Sequence, residues 1–201
     1  MKKIIATLTL ILIATTSFAQ NIDQSEQVKA FINDVGTQII KIAADKKLSS
    51  EQRKSNIISV IDQSIDADWI ARFVLAKNYN TASDSQKENF AKLYREFMIN
   101  TYGPKFQNYN GRKFEVLSVS KQGNFYIAKS EFLPQDSKTP VDVSFRVKEK
   151  NGKLVILDFV AEGVSLIETQ RSEFNSAISQ KGMDQFLEDL KARIAKLKTQ
   201  K

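Results

Sequence analysis

The chain of 201 residues contains no cysteine and no histidine. Without cysteine it forms no disulfides, so a domain of this size must be held by its core alone. The same absence excludes lipoprotein processing. Without histidine the chain lacks the commonest general base, every Ser-His or Cys-His nucleophile pair and the usual zinc ligand. Carboxylate or lysine catalysis remains open, but the composition argues against an enzyme, and no cofactor or metal is expected. Beyond the N-terminus no apolar run approaches membrane length, and there are no repeats or low-complexity linkers.

The N-terminus reads as an export signal. Met1-Lys2-Lys3 is a basic start and Ile4–Ala14 an apolar run too short to span a bilayer. Ser17 and Ala19 place small residues for cleavage before Gln20. Residues 20–201 are then one soluble domain, long enough for one good core. Loss of Lys2 and Lys3 lowers the formal charge from +7 to +5. That scattered excess suits transient contact with an anionic membrane surface. It is too diffuse for nucleic acid, and an ordinary solvated surface is the better account of it.

Periodicity divides the remainder into helices, strands and helices. Val28, Phe31, Ile32, Val35, Ile39 and Ile42 follow helical spacing from Ile22 to about Lys46. Ser49 with Gln52 starts a second helix through Ile65, Asp66 caps a third containing Trp69 and Phe73, and Ser83 with Gln86 starts a fourth. That fourth helix carries Phe90, Leu93, Tyr94, Phe97, Met98, Thr101 and Tyr102 on one stripe until Gly103-Pro104. Strands follow at Phe114–Ser120, Phe125–Leu133, Val141–Lys148 and Leu154–Val160, with Asn151-Gly152 a type I′ hairpin turn between the last two. Helices at Ser165–Gln180 and Met183–Lys198 close the chain. The expectation is an α+β domain: a four-stranded antiparallel sheet with helices packed on one face, enclosing between them either a filled core or an apolar cavity.

Chemistry is sparse. Ala161-Glu162-Gly163-Val164-Ser165 reads as a strand-to-helix turn with a Ser165–Glu168 capping box, although a buried Glu162 would offer a carboxylate. The aromatics from Phe90 to Phe132 suit both a plain core and a ligand wall. Asp62, Asp66, Asp68, Asp84 and Glu88 lie near helix starts, without the spacing of a calcium loop.

Two segments resemble the MlaC family, the periplasmic phospholipid carriers also called toluene-tolerance proteins. Ile65-Asp66-Ala67-Asp68-Trp69-Ile70-Ala71-Arg72-Phe73-Val74-Leu75, running on to Tyr79, Phe90, Tyr94, Phe97 and Tyr102, is similar to a family helix pattern. Ala161-Glu162-Gly163-Val164-Ser165-Leu166-Ile167, followed by Arg171, Phe174 and Lys181-Gly182, is similar to the family's Glu-Gly-Val-Ser segment. Family members often have Gly where Ala76 stands, Trp at Tyr79 and Tyr at Gln170. An aromatic is also common near the start of the fourth strand, where this chain has Leu154 and Val155.

The resemblance implies a periplasmic phospholipid-binding domain at residues 20–201, released by cleavage near Ala19. Such a carrier moves lipid between outer and inner membranes and so maintains outer-membrane lipid asymmetry. Implied partners are an outer-membrane lipoprotein component and an inner-membrane MCE/ABC transporter complex. Expected pocket walls are Val74, Leu75, Phe90, Tyr94, Phe97, Phe106, Tyr109, Phe145, Val147, Phe159, Val164 and Ile167. Arg72 and Arg171 would meet a phosphate or a partner surface, a salt bridge being the more ordinary fate of each. The rival readings are a cone-shaped enzyme for an apolar substrate, with Glu162 or Asp158 as base, and a ligand-free chaperone-like domain.

Overall fold

The computed structural model describes residues 24–107, 111–134 and 139–199, with the side chains of 103–107, 111–112 and 134 excepted. The expected leader (1–19), Tyr109 and the Phe106 side chain therefore lie outside the described residues.

Among the described residues five helices come first. In α1 (Gln24–Ala44) a stripe of Val28, Ile32 and Val35 is buried. Ser49 caps α2 (Ser50–Ser64): its Oγ accepts from Gln52 N at 3.2 Å and its own N–H donates to Gln52 Oε1 at 2.8 Å. Asp66 caps α3 (Ala67–Leu75) by accepting from Trp69 N at 3.2 Å. Ala76, at φ 51° and ψ −125°, turns the chain into a short α4 (Lys77–Thr81). Ser83 and Gln86 reciprocally cap α5 (Asp84–Gln107). This helix runs past Gly103-Pro104, the expected stop. A proline near a helix end removes one N–H donor, and the turn continues at that limited cost.

Strands β1 (Gly111–Gln122), β2 (Phe125–Pro134), β3 (Val141–Lys150), β4 (Lys153–Ala161) and β5 (Val164–Ser165) form one sheet in that order, each antiparallel to the next. Asn151 and Gly152 both take positive φ, 53° and 75°, in the two-residue turn between β3 and β4. The sheet has five strands instead of the expected four. Glu162 (φ 49°) and Gly163 (φ 81°) make a second tight turn that folds Val164 and Ser165 back onto β4. Helices α6 (Leu166–Lys181) and α7 (Met183–Thr199) complete the α+β fold.

Two apolar cores result. One lies between α1 and the sheet: Val28, Ile32 and Val35 against Val116, Tyr126, Ala128, Val147 and Ile156. The other is helical and joins α3, α5, α6 and α7 around Phe90, Phe97, Phe174, Phe186 and Leu190.

Candidate functional site

The sheet face that α1 covers continues beyond the helix. Register places Phe114, Phe132 and Val141 in one cross-strand row. Val116, Ser130, Val143, Ala161 and Val164 form the next, and Ala128, Phe145 and Phe159 a third. Two bulges set this arrangement. The shift between Val116 and Ser118 brings Phe114 and Val116 onto the face of Val119, and the shift opposite Arg146/Val147 keeps Ile156 and Phe159 on one side. A regular two-residue alternation would have separated them.

Exposure rises across this face toward β4 and β5. Val147 is fully buried and Val143 is 7% exposed, while Phe159 reaches 36% and Val164 61%. Phe145 sits between Phe114 and Phe159 with ring centroids 6.1 and 5.5 Å away, both edge-on. The Phe114 ring lies directly under α1, where a Cβ on Gly36 would come within 2.3 Å of it. The result is an aromatic, partly open end of the sheet, of the kind that marks a binding surface for apolar groups.

The twelve expected wall residues divide between separate places. Phe145, Phe159 and Val164 stand at the open end of the sheet, and Val147 lies beneath α1. Val74, Leu75, Phe90, Tyr94, Phe97 and Ile167 are buried in the helical core. The aromatic stripe of α5 turns to α6 and α7: Phe174 meets Phe90, Tyr94 and Phe97 edge-on, and Phe186 packs on Phe90 and Phe174. Phe114 and Phe132 lie half-buried on the same sheet face, yet sequence reasoning left them out of the wall set. Counting back from the Gly123-Asn124 turn would pair Phe114 with Leu133, and only the bulge pairs it with Phe132.

Polar groups near the two cores serve structure. Asp158, 2% exposed, accepts from Ser165 Oγ at 2.7 Å and from Ile167 N at 3.3 Å, tying β4 to the start of α6. Desolvation raises its carboxyl above the ordinary value, against the lowering pull of these bonds and of Arg146. Ser165 accepts from Glu168 N at 3.1 Å, but the Glu168 carboxylate faces Arg146 at 3.6 Å instead of closing the expected box. Tyr94 donates to Gln170, whose amide reaches Met98 Sδ at 3.2 Å and Tyr102 at 3.5 Å. Burial first, then Tyr102 and Asp158, pushes the Tyr94 phenol far up, so it stays neutral. Glu162 is exposed in its turn, which removes it as a buried base.

The acidic residues disperse: Asp62 pairs with Arg95, Asp66 with Lys150 at 2.7 Å, and Asp84 with Lys87 at 3.1 Å. Among the described residues no group of three His, Cys, Asp or Glu could hold a metal ion, and no helix is long and apolar enough to cross a membrane. Arg72 and Arg171 take a different course from the salt bridges expected of them. Arg72 lies over the Tyr79 ring at 4.9 Å and Arg171 over Phe73 at 4.6 Å. A cleft of about 360 Å³ is lined by Asp66, Asp68, Trp69, Arg72, Lys148 and Lys150.

Fold and site together define an α+β domain whose helix-covered sheet keeps one aromatic end open. The family model described as "MlaC protein" matches residues 16–192, and the chain belongs to that family. It is 23% identical over 124 residues to the "Intermembrane phospholipid transport system binding protein MlaC" of Haemophilus influenzae. That match covers 60% of this chain and 58% of the relative. A phospholipid-binding protein from Ralstonia solanacearum, solved in complex with a phospholipid, shares the fold at a TM-score of 0.70 and 18% identity. The likeness covers 84% of this chain and 97% of that one.

Proposed function

We propose that this chain is a periplasmic phospholipid carrier whose acyl chains are received against the open end of the sheet. The observation that carries the reading is the sheet face of Phe114, Phe132, Phe145, Phe159 and Val164, apolar, half-buried at the first three and exposed at Phe159 and Val164, in a chain of the MlaC family. The name of the H. influenzae relative and the ligand of the R. solanacearum protein support it.

The physics of carriage is undemanding. Each CH₂ removed from water contributes roughly 0.8 kcal/mol, so bare acyl chains cannot cross an aqueous space. In a bilayer those chains are already dry, and the carrier needs only to match that environment. No bond is made or broken, so no base, nucleophile or metal is required. In this reading residues 1–19 direct export and residues 20–201 form the carrier domain. The buried wall candidates Val74, Leu75, Phe90, Tyr94, Phe97 and Ile167 back the site from the helical core. Lipid passes between an outer-membrane lipoprotein component and an inner-membrane MCE/ABC transporter, maintaining outer-membrane asymmetry.

The test is to express the full chain in an exporting Gram-negative cell, purify it without detergent and weigh its organic extract. About one phospholipid per protein is expected. Phe159→Asp, at a position 36% exposed, should stay folded and lose lipid about tenfold, because a carboxylate in hydrocarbon is costly unless paired. A wild-type protein that is empty, and remains so after incubation with liposomes, would falsify the reading.

A further inference from the structure

A second surface, on α3 and α4, is organised differently from the open sheet. Trp69 and Phe73 stack at 5.1 Å, with the Arg171 guanidinium 4.6 Å above Phe73. Beside them Tyr79 lies between Arg72 at 4.9 Å and Lys87 at 5.1 Å. Lys148 and Lys150, at the far end of β3, share the cleft with Trp69 and Arg72. The three rings are half-buried and pack against the helical core, so they form a firm platform with part of each ring open to solvent.

Charge on this platform is unevenly neutralised. Asp66 is held by Lys150 and by Trp69 N–H, and Asp84 by Lys87. Asp68 is the remaining carboxylate of the cleft. Arg72, Arg171 and Lys148 have no carboxylate within ion-pair distance among the described residues. Arg72 and Arg171 spend their planes on aromatic rings; Arg72 also donates to the Tyr79 hydroxyl at 3.5 Å, and the other N–H groups can meet phosphate oxygens.

We infer that this face is where the protein lies against an anionic phospholipid bilayer. Trp and Tyr rings favour the depth of the headgroups, where one edge is dry and the other wet. The cations supply attraction to the negative leaflet, effective within a Debye length of it. A bilayer suits the platform because it takes rings and cations side by side without needing shape complementarity. This inference extends the carrier reading by naming the surface through which the chain meets a membrane.

Trp69 is the chain's single tryptophan, so its emission reports on this face and no other. Full-length mature protein is mixed with phosphatidylglycerol-rich vesicles, with phosphatidylcholine vesicles, and with brominated versions of each. With anionic vesicles we expect a blue shift and bromine quenching that fade as salt is added. Neutral vesicles should give neither. Emission is read again after the vesicles are pelleted, which separates bilayer contact from lipid carried off inside the fold.

Replacing Arg72 and Arg171 by Gln should weaken partitioning about fivefold per cation. Lys191→Gln and Lys196→Gln on α7 remove the same charge elsewhere and should change it far less. Vesicle binding that leaves Trp69 silent would overturn the inference, as would equal loss in both pairs. Absence of any vesicle response would also overturn it and leave the face to an acidic protein partner. Because lipid extraction tests the carrier separately, a lipid-loaded protein whose Trp69 ignores vesicles refutes only this surface. The wild-type emission needs no variant, so misfolding of a mutant leaves the test intact.

Discussion

The helical core and the sheet end are both rich in phenylalanine, yet one is closed and the other is not. In the helical core Phe90, Phe97 and Phe174 are at most 2% exposed, and each ring is met by another. At the sheet end Phe145 and Phe159 also touch, but α1 has already passed and Phe159 remains 36% exposed. Burial on one side supplies stability without a ligand. Partial exposure on the other leaves apolar surface that a ligand can cover. The same residue type therefore has two uses, decided by what lies opposite.

The strongest way to break that contrast is Phe174→Ala. It removes the ring around which α5, α6 and α7 pack and should cost about 3–5 kcal/mol, read as a lowered midpoint in urea. If it costs less than Phe159→Ala, the division of labour is wrong. Next comes Gly36→Ala, which puts a methyl 2.3 Å from the Phe114 ring. Alanine favours a helix, but the overlap should prevail and cost about 1–3 kcal/mol. Displaced Phe114 should also lower the lipid recovered.

Ala76→Gly tests the hinge between α3 and α4. Its φ of 51° with ψ of −125° strains an alanine, and glycine there should raise stability by about 1 kcal/mol. A lower thermal midpoint would show that the alanine methyl makes a compensating contact. The smallest effect is at Asp158. Its raised carboxyl keeps a proton to higher pH in the folded chain than in the unfolded one. Between those two values the folded state binds more protons, so this group's contribution to stability falls as pH rises and is regained on acidification. Asp158→Asn removes the titrating group while its amide oxygen still accepts from Ile167 N–H and its NH₂ can donate to Ser165 Oγ, and it should flatten that part of the profile of thermal midpoint against pH. An unchanged slope would assign it to other groups.

Much of the fold was legible because local chemistry is consistent. Ser49, Asp66, Ser83 and Ser165 each cap the helix expected of them. Asn151-Gly152 turns where alternation stops, and Val141–Val147 present the apolar face that α1 covers in part. The site was less legible. The aromatics of α5 and those of the sheet look alike in sequence, and their separation depends on which helices lie between them. The bulges beside Leu117 and Leu157 leave no mark on composition, yet they decide which side Phe114 and Phe159 occupy. Even Arg72 and Arg171, natural candidates for ion pairs, rest on rings that only packing brings beneath them.

What the sequence determined by itself is element order, helix starts, hairpin turns and an apolar α+β core without cysteine or histidine chemistry. These depend on contacts between residues a few positions apart, and their signals are local. The tertiary structure alone decided which phenylalanines are covered. Coverage is a relation between elements far apart in the chain, and a bulge of one residue is enough to reverse it.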